Sequence, residues 1–146
     1  MYSENFTSEF QNMTSPAAGK KMKDIVPYTE AHLKLLQVIG SDIADDIPDE
    51  HEEDAEFVIS RSGKDRYGDQ GRYTGWMRNG KMNGRGTFIL DGDGDRFDST
   101  WKDDMMHGTG RWMGGDGSWA TQGACANDDW VSPWTSYTID GTVRKF

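Results

Sequence analysis

Three aspartates at alternate positions, Asp91, Asp93 and Asp95, have the spacing with which an EF-hand calcium loop begins. Such a loop also requires glycine at its sixth position and a bidentate glutamate at its twelfth. Arg96 and Lys102 stand at those two positions. We therefore interpret the segment as a polar turn between two repeats, and the sequence predicts no metal site and no cofactor.

The residues that serve nucleophilic catalysis are few and scattered. Cys125 is the only thiol, and the three histidines, at positions 32, 51 and 107, fall in different segments. No spacing suggests a nucleophile beside its base, so the sequence predicts a protein that is not an enzyme and has no small-molecule substrate. A single cysteine is typical of a reducing compartment. The N-terminus lacks the pattern of a secretory signal. We expect an intracellular protein, cytoplasmic or on a membrane or cytoskeletal complex, with an organellar location left open.

The charge of the chain is divided unevenly between its two halves. The 146 residues carry a net charge of −9; residues 1–58 hold 4 basic and 13 acidic residues, and residues 59–146 hold 12 of each. A negative chain without a basic stripe is not attracted to phosphates, so we expect no nucleic-acid partner. Nine acidic residues lie in residues 42–56. We interpret them as a solvated, self-repelling linker, with contact to a basic partner as the alternative.

Residues 1–58 are predicted to form an extended acidic arm with one short helix near residues 29–39. Thr29 is a suitable N-cap, and Gly40 is a natural C-terminal stop. Three apolar side chains share one face of this helix: Leu35, Leu36 and Ile39. Because a helix this short is marginal alone, we expect the β domain or another protein to cover that face, and we expect the arm to run over neighbouring subunits.

The rest of the chain repeats a pattern of aromatics and glycines. Residues 72–77 alternate, Asn79–Gly80 offers a tight hairpin turn, and residues 84–90 run back. A similar segment follows 24 or 25 residues later, with Tyr73 aligned to Phe97, Trp76 to Trp101, and Gly84 and Gly86 to Gly108 and Gly110. In this alignment the second hairpin turn, Asp103–Asp104, is shortened. A fixed period indicates one supersecondary unit used more than once.

These residues resemble MORN (membrane occupation and recognition nexus) repeats, whose unit is a short β-hairpin. The first unit carries the motif closely in Tyr73–Trp76, Asn83–Phe88 and Asp91–Gly92. The second departs from it at Ser99–Thr100, and the third decays after Trp119. The resemblance implies a mainly β fold: a short ribbon of MORN β-hairpins in a single elongated sheet. That β domain would span residues 59–146, with good repeats at about 62–123 and a degenerate C-terminal cap, preceded by the extended, partly helical acidic arm.

The resemblance also implies a function. We expect a non-catalytic protein–protein interaction or scaffold module, an accessory structural subunit of a larger membrane-associated or cytoskeletal assembly, whose partners are the other subunits. Most of its aromatics are expected to be structural, because large rings dominate small β cores. The candidate partner-binding residues are Tyr73, Trp76, Phe97, Trp101, Trp119, Trp130 and Trp134. Trp130 and Trp134 are the stronger candidates, since they lie beyond the good repeats.

An alternative function is a peripheral membrane module that binds acidic phospholipids. Its basic residues would be Arg61, Lys64, Arg66, Arg72, Arg78, Lys81 and Arg85. Membrane anchoring by charge normally needs a denser cluster than this, so we prefer the scaffold interpretation.

Overall fold

The computed structural model of the chain describes residues 20–146, so the first 19 residues of the predicted arm lie outside the described residues. One antiparallel sheet of eight strands dominates the described part. The order of the strands in the sheet is their order in the chain, so each strand pairs with its sequence neighbours. The prediction of a mainly β fold, with a single sheet built from consecutive hairpins, is confirmed.

The elements have the following bounds. The helices are α1 (Met22–Ile25), α2 (Glu30–Ile39) and a 3-10 helix, η1 (Ile43–Asp46). The strands are β1 (Glu56–Lys64), β2 (Gln70–Arg78), β3 (Lys81–Leu90), β4 (Arg96–Lys102), β5 (Met105–Met113), β6 (Trp119–Ala126), β7 (Asp129–Thr138) and β8 (Val143–Lys145).

Three hairpin turns of equal length set the period of the sheet. They are Asn79–Gly80, Asp103–Asp104 and Asn127–Asp128, and all six residues have positive φ, between 50° and 75°. Two consecutive residues with positive φ form the turn whose twist matches that of paired strands. The sequence alignment suggested that the second turn is shortened. The structure shows instead that it has the same length as the first. The third hairpin is complete, although its sequence departs from the repeat pattern.

The alignment of Trp76 with Trp101 is wrong by one residue. Met77 pairs with Met82 in the first hairpin. The equivalent pair in the second hairpin is Trp101 with Met106. Trp76 lies at an irregularity in the β2 register, one position before the residue that matches Trp101. Because successive residues of a strand point to opposite faces, the two tryptophans belong to different faces of the sheet.

The two faces of the sheet differ in chemistry. Phe97 and Trp112 pair across β4 and β5 and share one side, which we call the aromatic face. Asp98 and Arg111, next to them in the chain, pair on the other side. That side is covered by residues 20–52, which we call the covering segment.

Helix α2 anchors the covering segment by its apolar side. Thr29 caps its first turn, accepting a backbone N–H at 3.1 Å, and Gly40 ends it with φ +88°, as predicted. Leu35 is fully buried against Met113 and Ala120 of the sheet. The helix is therefore covered by its own sheet, which is one of the two coverings expected for its apolar face.

A buried ion-pair network joins the covering segment to the sheet. Asp98 Oδ2 is 3.1 Å from Arg96 Nε and 2.6 Å from Arg111 Nη2, and all three side chains are at most 1% exposed. Asp42 of the covering segment completes the network, with its Oδ1 2.5 Å from Arg111 Nη1. Tyr28 donates a hydrogen bond to Asp42 at 2.6 Å. Two carboxylates thus face two guanidinium groups, which is the condition under which charges can be buried.

The interpretation of residues 42–56 as a solvated linker is wrong for the acidic side chains that contact the sheet, Asp42 and Asp49. Asp42 belongs to the buried network. Asp49 accepts a hydrogen bond from the Trp76 indole at 2.8 Å and lies 3.5 Å from Arg85 Nε. Basic and polar groups of the sheet therefore offset the mutual repulsion of the acidic run.

The opposite charges of the network shift the pKa values of Asp98 and Arg111 so that each favours the charged form of the other. Burial alone would raise the pKa of Asp98, but the charges of Arg96 and Arg111 outweigh burial and hold that pKa below its ordinary range. Burial would lower the pKa of Arg111, and Asp98 instead raises it. Asp98 and Arg111 are consequently charged at neutral pH.

We expect Asp98→Asn to destabilise the fold by about 3–5 kcal/mol, because it leaves two buried guanidinium groups with one carboxylate. Urea unfolding followed by tryptophan fluorescence measures this. Asp91→Asn is the matched control, since Asp91 is exposed and should change the free energy of unfolding by less than about 0.5 kcal/mol. Equal effects of the two substitutions would contradict the role of Asp98.

We also expect stability to fall as the pH drops through the ordinary range of histidine. His32 is 2% exposed and its Nε2 lies 2.9 Å from the Gly114 carbonyl oxygen. Burial lowers its pKa from 6.5, so below that pH the unfolded chain binds a proton that the folded chain does not. As the pH falls below 6.5, the free energy of unfolding therefore decreases by up to about 1.4 kcal/mol per pH unit.

The measurement is the free energy of unfolding from pH 8 to pH 5, for the wild type and for His32→Gln, which can still donate to the Gly114 carbonyl. Loss of this pH-dependent component in the variant is the expected result. Parallel curves for the two proteins would show that another group is responsible.

Candidate functional site

A strip of aromatic rings crosses the aromatic face from strand to strand. Phe88 pairs with Phe97, and Phe97 pairs with Trp112, with ring centroids 6.5 Å and 5.2 Å apart. Trp119 continues the strip, edge-on to Trp112 at 4.9 Å. Cross-strand pairs of this kind stabilise a sheet. The repeat therefore produces a continuous aromatic surface as well as a fold.

The inner part of the aromatic face is the hydrophobic core. Tyr73, Phe88 and Trp101 are 3%, 3% and 5% exposed. The Trp101 indole donates to the Gly86 carbonyl at 3.0 Å. A Cβ at Gly86 would overlap the Tyr73 ring, which explains the glycine there. Tyr73 and Trp101, expected to bind a partner, are thus buried in the core and not accessible to one.

A cavity of about 300 Å³ lies over this core. Half-buried rings of Phe97, Trp112 and Trp130 form part of its wall. Four carboxylate residues also line it: Asp65, Asp69, Asp104 and Asp128. Among the described residues that line this cavity there is no lysine or arginine. We call the cavity and its rim the groove.

The loop between β1 and β2 forms a roof over the groove. Asp65 Oδ1 accepts hydrogen bonds from the backbone N–H groups of Tyr67 and Asp69, both at 2.9 Å. Tyr67 Oη then donates to Asp128 Oδ2 at 3.3 Å, and Arg66 Nη1 lies 3.6 Å from the same oxygen. Tyr67 is 68% exposed. The contacts that hold the roof to Asp128 are therefore accessible to solvent and contribute little energy.

Two turn aspartates hold successive hairpins together. Asp104 Oδ1 accepts from the Met82 N–H at 2.8 Å, while the Asp104 N–H donates to the Met82 carbonyl at 3.1 Å. Asp128 makes the same two contacts with Met106, at 2.7 Å and 3.0 Å. Sequence reasoning missed both residues, although their spacing of 24 equals the repeat.

The remaining predicted partner-binding residues lie in four places. Trp119 belongs to the strip, and Trp130 lines the groove. Trp134 stacks on Phe146, with ring centroids 4.0 Å apart, near the C-terminal edge of the sheet. Trp76 packs against the covering segment on the opposite face. The structure therefore gathers only part of the predicted set around the groove, with Phe97 and Trp130 half-buried in its wall beside Trp112, which was not in the set.

The seven basic residues of the lipid-binding alternative do not form one free cationic surface. Four of them are paired with carboxylates: Arg61 with Glu56 at 3.4 Å, Arg66 with Asp128 at 3.6 Å, Arg78 with Asp54 at 2.9 Å, and Arg85 with Asp49 at 3.5 Å. Arg85 is buried under the covering segment. Lys64, Arg72 and Lys81 are exposed. Internal pairing thus reduces the positive charge that an acidic membrane could attract.

The aspartate-rich turn before β4 is a structural turn. Asp95 is 8% exposed; its Oδ2 accepts from the Trp112 indole at 2.9 Å, and its Oδ1 accepts from the Gly115 N–H at 2.8 Å. Asp93 Oδ1 accepts from the Asp95 N–H. The polar-turn interpretation is confirmed.

Within residues 20–146 no three His, Cys, Asp or Glu side chains converge to hold a metal ion. Burial raises the pKa of the Cys125 thiol to about 12.

Comparison with known proteins assigns no family. No family model matches the chain, and a comparison with curated proteins finds no match. Within residues 20–146, none of the helices is long and apolar enough to cross a membrane.

We expect Asp128→Ala to cost about 1–2 kcal/mol of stability, because the N–H of the buried Met106 loses its acceptor. Asp128→Asn should be nearly neutral, since the amide oxygen still accepts that hydrogen bond and asparagine tolerates positive φ. Urea unfolding compares the two variants, with the exposed neighbour Asp129→Ala as control. Equal losses for Asn and Ala would show that the side-chain oxygen does not hold the turn.

Proposed function

We propose that this chain is a non-catalytic interaction module, an accessory structural subunit that binds a segment of another protein in the groove on its aromatic face. One observation carries the proposal: the chain covers one face of its sheet with residues 20–52 and leaves rings half-exposed on the other. Phe97, Trp112 and Trp130 are half-buried around a cavity. Contiguous aromatic surface of this kind marks interaction sites.

The groove has the properties of a binding surface that is formed in advance. Its rings are held by cross-strand pairing and by contact with one another, as at Phe97 and Trp112. The Trp112 indole is held further by Asp95. Little side-chain freedom is therefore lost when a partner binds. Partly exposed tryptophans at the centre of an interface also contribute a large share of binding energy.

The sequence resemblance supports the same proposal. The MORN-like motif of the first hairpin, Tyr73–Phe88, recurs at the period of 24 residues that the turns display. Members of that family serve as scaffolds in membrane-associated and cytoskeletal assemblies. A place in such an assembly is accordingly our proposal for this chain.

We expect a photo-crosslinking amino acid to capture a partner from the groove. Benzoylphenylalanine in place of Tyr67 stands at the roof of the groove, where the native ring is 68% exposed. The same residue in place of Leu33, which is 50% exposed on α2, is the matched control on the opposite side. Irradiation of cells should give a discrete heavier adduct at position 67 and none of that mass at position 33.

Native fractionation of the same cells provides the second measurement. The chain should migrate with a complex well above its own 16.4 kDa, and the crosslinked protein should be found in the same fraction. No adduct from position 67, together with migration near the size of the chain alone, would contradict the proposal. Salt-sensitive flotation with acidic phospholipid vesicles would favour the membrane alternative instead.

A further inference from the structure

The groove combines two features that attract positive charge. Its wall contains several half-buried aromatic rings, among them Phe97, Trp112 and Trp130. Aromatic faces attract cations through the ring quadrupole, and more strongly where water is excluded. Four aspartates line the same cavity, with no lysine or arginine among its described lining residues. Arg66 at the rim already pairs with Asp128 at 3.6 Å. Four carboxylates against this one guanidinium still leave an excess of negative charge, which is complementary to a further cation.

From this complementarity we propose that the groove takes an arginine side chain of the partner protein. The inference rests on the proposed function and specifies the chemistry of the partner: a segment that presents an arginine to the rings and carboxylates of the groove. Arginine is favoured over lysine because its planar guanidinium stacks on rings while its N–H groups reach more than one carboxylate oxygen.

The protein already binds its own arginines in this way. On the covered face, the guanidinium of Arg96 lies 4.2 Å from the centre of the Tyr28 ring while its Nε bonds Asp98. At the roof of the groove, Arg66 lies 5.1 Å from the centre of its neighbouring tyrosine ring and pairs with Asp128. The exposed Arg66 pair thus places one guanidinium at the rim of the groove beside a ring and a carboxylate.

Three of the four carboxylates are held in place before any ligand arrives. Asp65 accepts the backbone N–H groups of Tyr67 and Asp69 within its own loop. Asp104 and Asp128 each accept a backbone N–H through one oxygen and donate their own N–H to the same residue. Fixed charges need no reorganisation when a cation binds, so more of the attraction appears as affinity.

The size of the groove favours a side chain over a folded element. Its volume of about 300 Å³ is at the lower end of the range for small-molecule pockets. The roof formed by the loop between β1 and β2 limits it further, through the contact of Tyr67 with Asp128. One long side chain can enter beneath this roof, while the rest of the partner segment lies along the strip outside.

The test uses the full chain and a short peptide with one arginine, acetyl-Gly-Gly-Arg-Gly-Gly-amide. The chain has six tryptophans, and the ¹⁵N-labelled protein reports each indole N–H separately in an NMR titration. The indole signals of Trp112 and Trp130 should move with the peptide, and that of Trp76, on the opposite face, should not. The same peptide with citrulline, which has the shape of arginine without its charge, should produce no shift.

A charge variant tests the carboxylates without removing their structural hydrogen bonds. Asp104→Asn with Asp128→Asn keeps both backbone acceptors, and we expect the peptide to bind at least fivefold more weakly. The control, Asp103→Asn with Asp129→Asn, makes the same change of charge at exposed neighbours that do not line the groove, and it should bind as the wild type does.

Several outcomes would overturn the inference. A charge-specific site would be contradicted by equal binding of the arginine and citrulline peptides or by equal affinity of the two charge variants. Indole shifts at Trp76 as large as those at Trp112 and Trp130 would also contradict it. The peptide with lysine in place of arginine, acetyl-Gly-Gly-Lys-Gly-Gly-amide, should bind more weakly, and equal binding would remove the preference for guanidinium. Vesicles of phosphatidylcholine that move the same indole signals, where the arginine peptide does not, would replace the protein partner with a lipid headgroup.

The inference and the proposed function can fail separately. A crosslinked partner at position 67 without any arginine binding would overturn the inference and leave the proposed function in place. Arginine binding without an adduct and without a large complex would contradict the proposed function instead.

Discussion

The pairing of Asp98 with Arg96 and Arg111 determines how this sheet is covered. A sheet of consecutive hairpins is one layer thick, and both of its faces contact water unless something packs on them. The two guanidinium groups can be buried only with carboxylates beside them. Asp98 supplies one carboxylate, and Asp42 of the covering segment supplies the other. The charge balance thus commits the covering segment to one face, and the strip and groove remain on the other.

The groove depends on the same repeat that builds the sheet. Equal hairpin turns bring Phe97 and Trp112 opposite each other, and they also place Asp104 and Asp128 one unit apart in the same structural role. Structural and binding residues are therefore interleaved on one surface. The most buried rings stabilise the fold, and the half-buried rings can contact a partner. Both kinds therefore come from the same repeated pattern of residues.

Local patterns in the sequence were enough to predict the class of fold. The Asn79–Gly80 turn and the caps of α2 act within a few residues, so they can be predicted without the structure. The turn at Asn127–Asp128 was not predicted, because its sequence departs from the Asn-Gly pattern. The alignment of Trp76 with Trp101 failed because it assumed an offset of 25 residues, whereas the two hairpins keep the same register, with Met77 opposite Met82 and Trp101 opposite Met106. A slip of one residue places a side chain on the other face. The docking of the acidic run also could not be predicted. Asp42 and Arg111 are 69 residues apart, and nothing local to either one identifies the other.

The position of the covering segment at the start of the chain has a consequence for synthesis on the ribosome. Leu35 packs on Met113 and Ala120, so the surface that receives it is made about eighty residues later. The hairpins, whose contacts are between sequence neighbours, can assemble one after another as they emerge. The segment that is made early must therefore wait in solution until β6 exists. Its dense negative charge, which self-repels, suits it to remain extended and soluble during that interval.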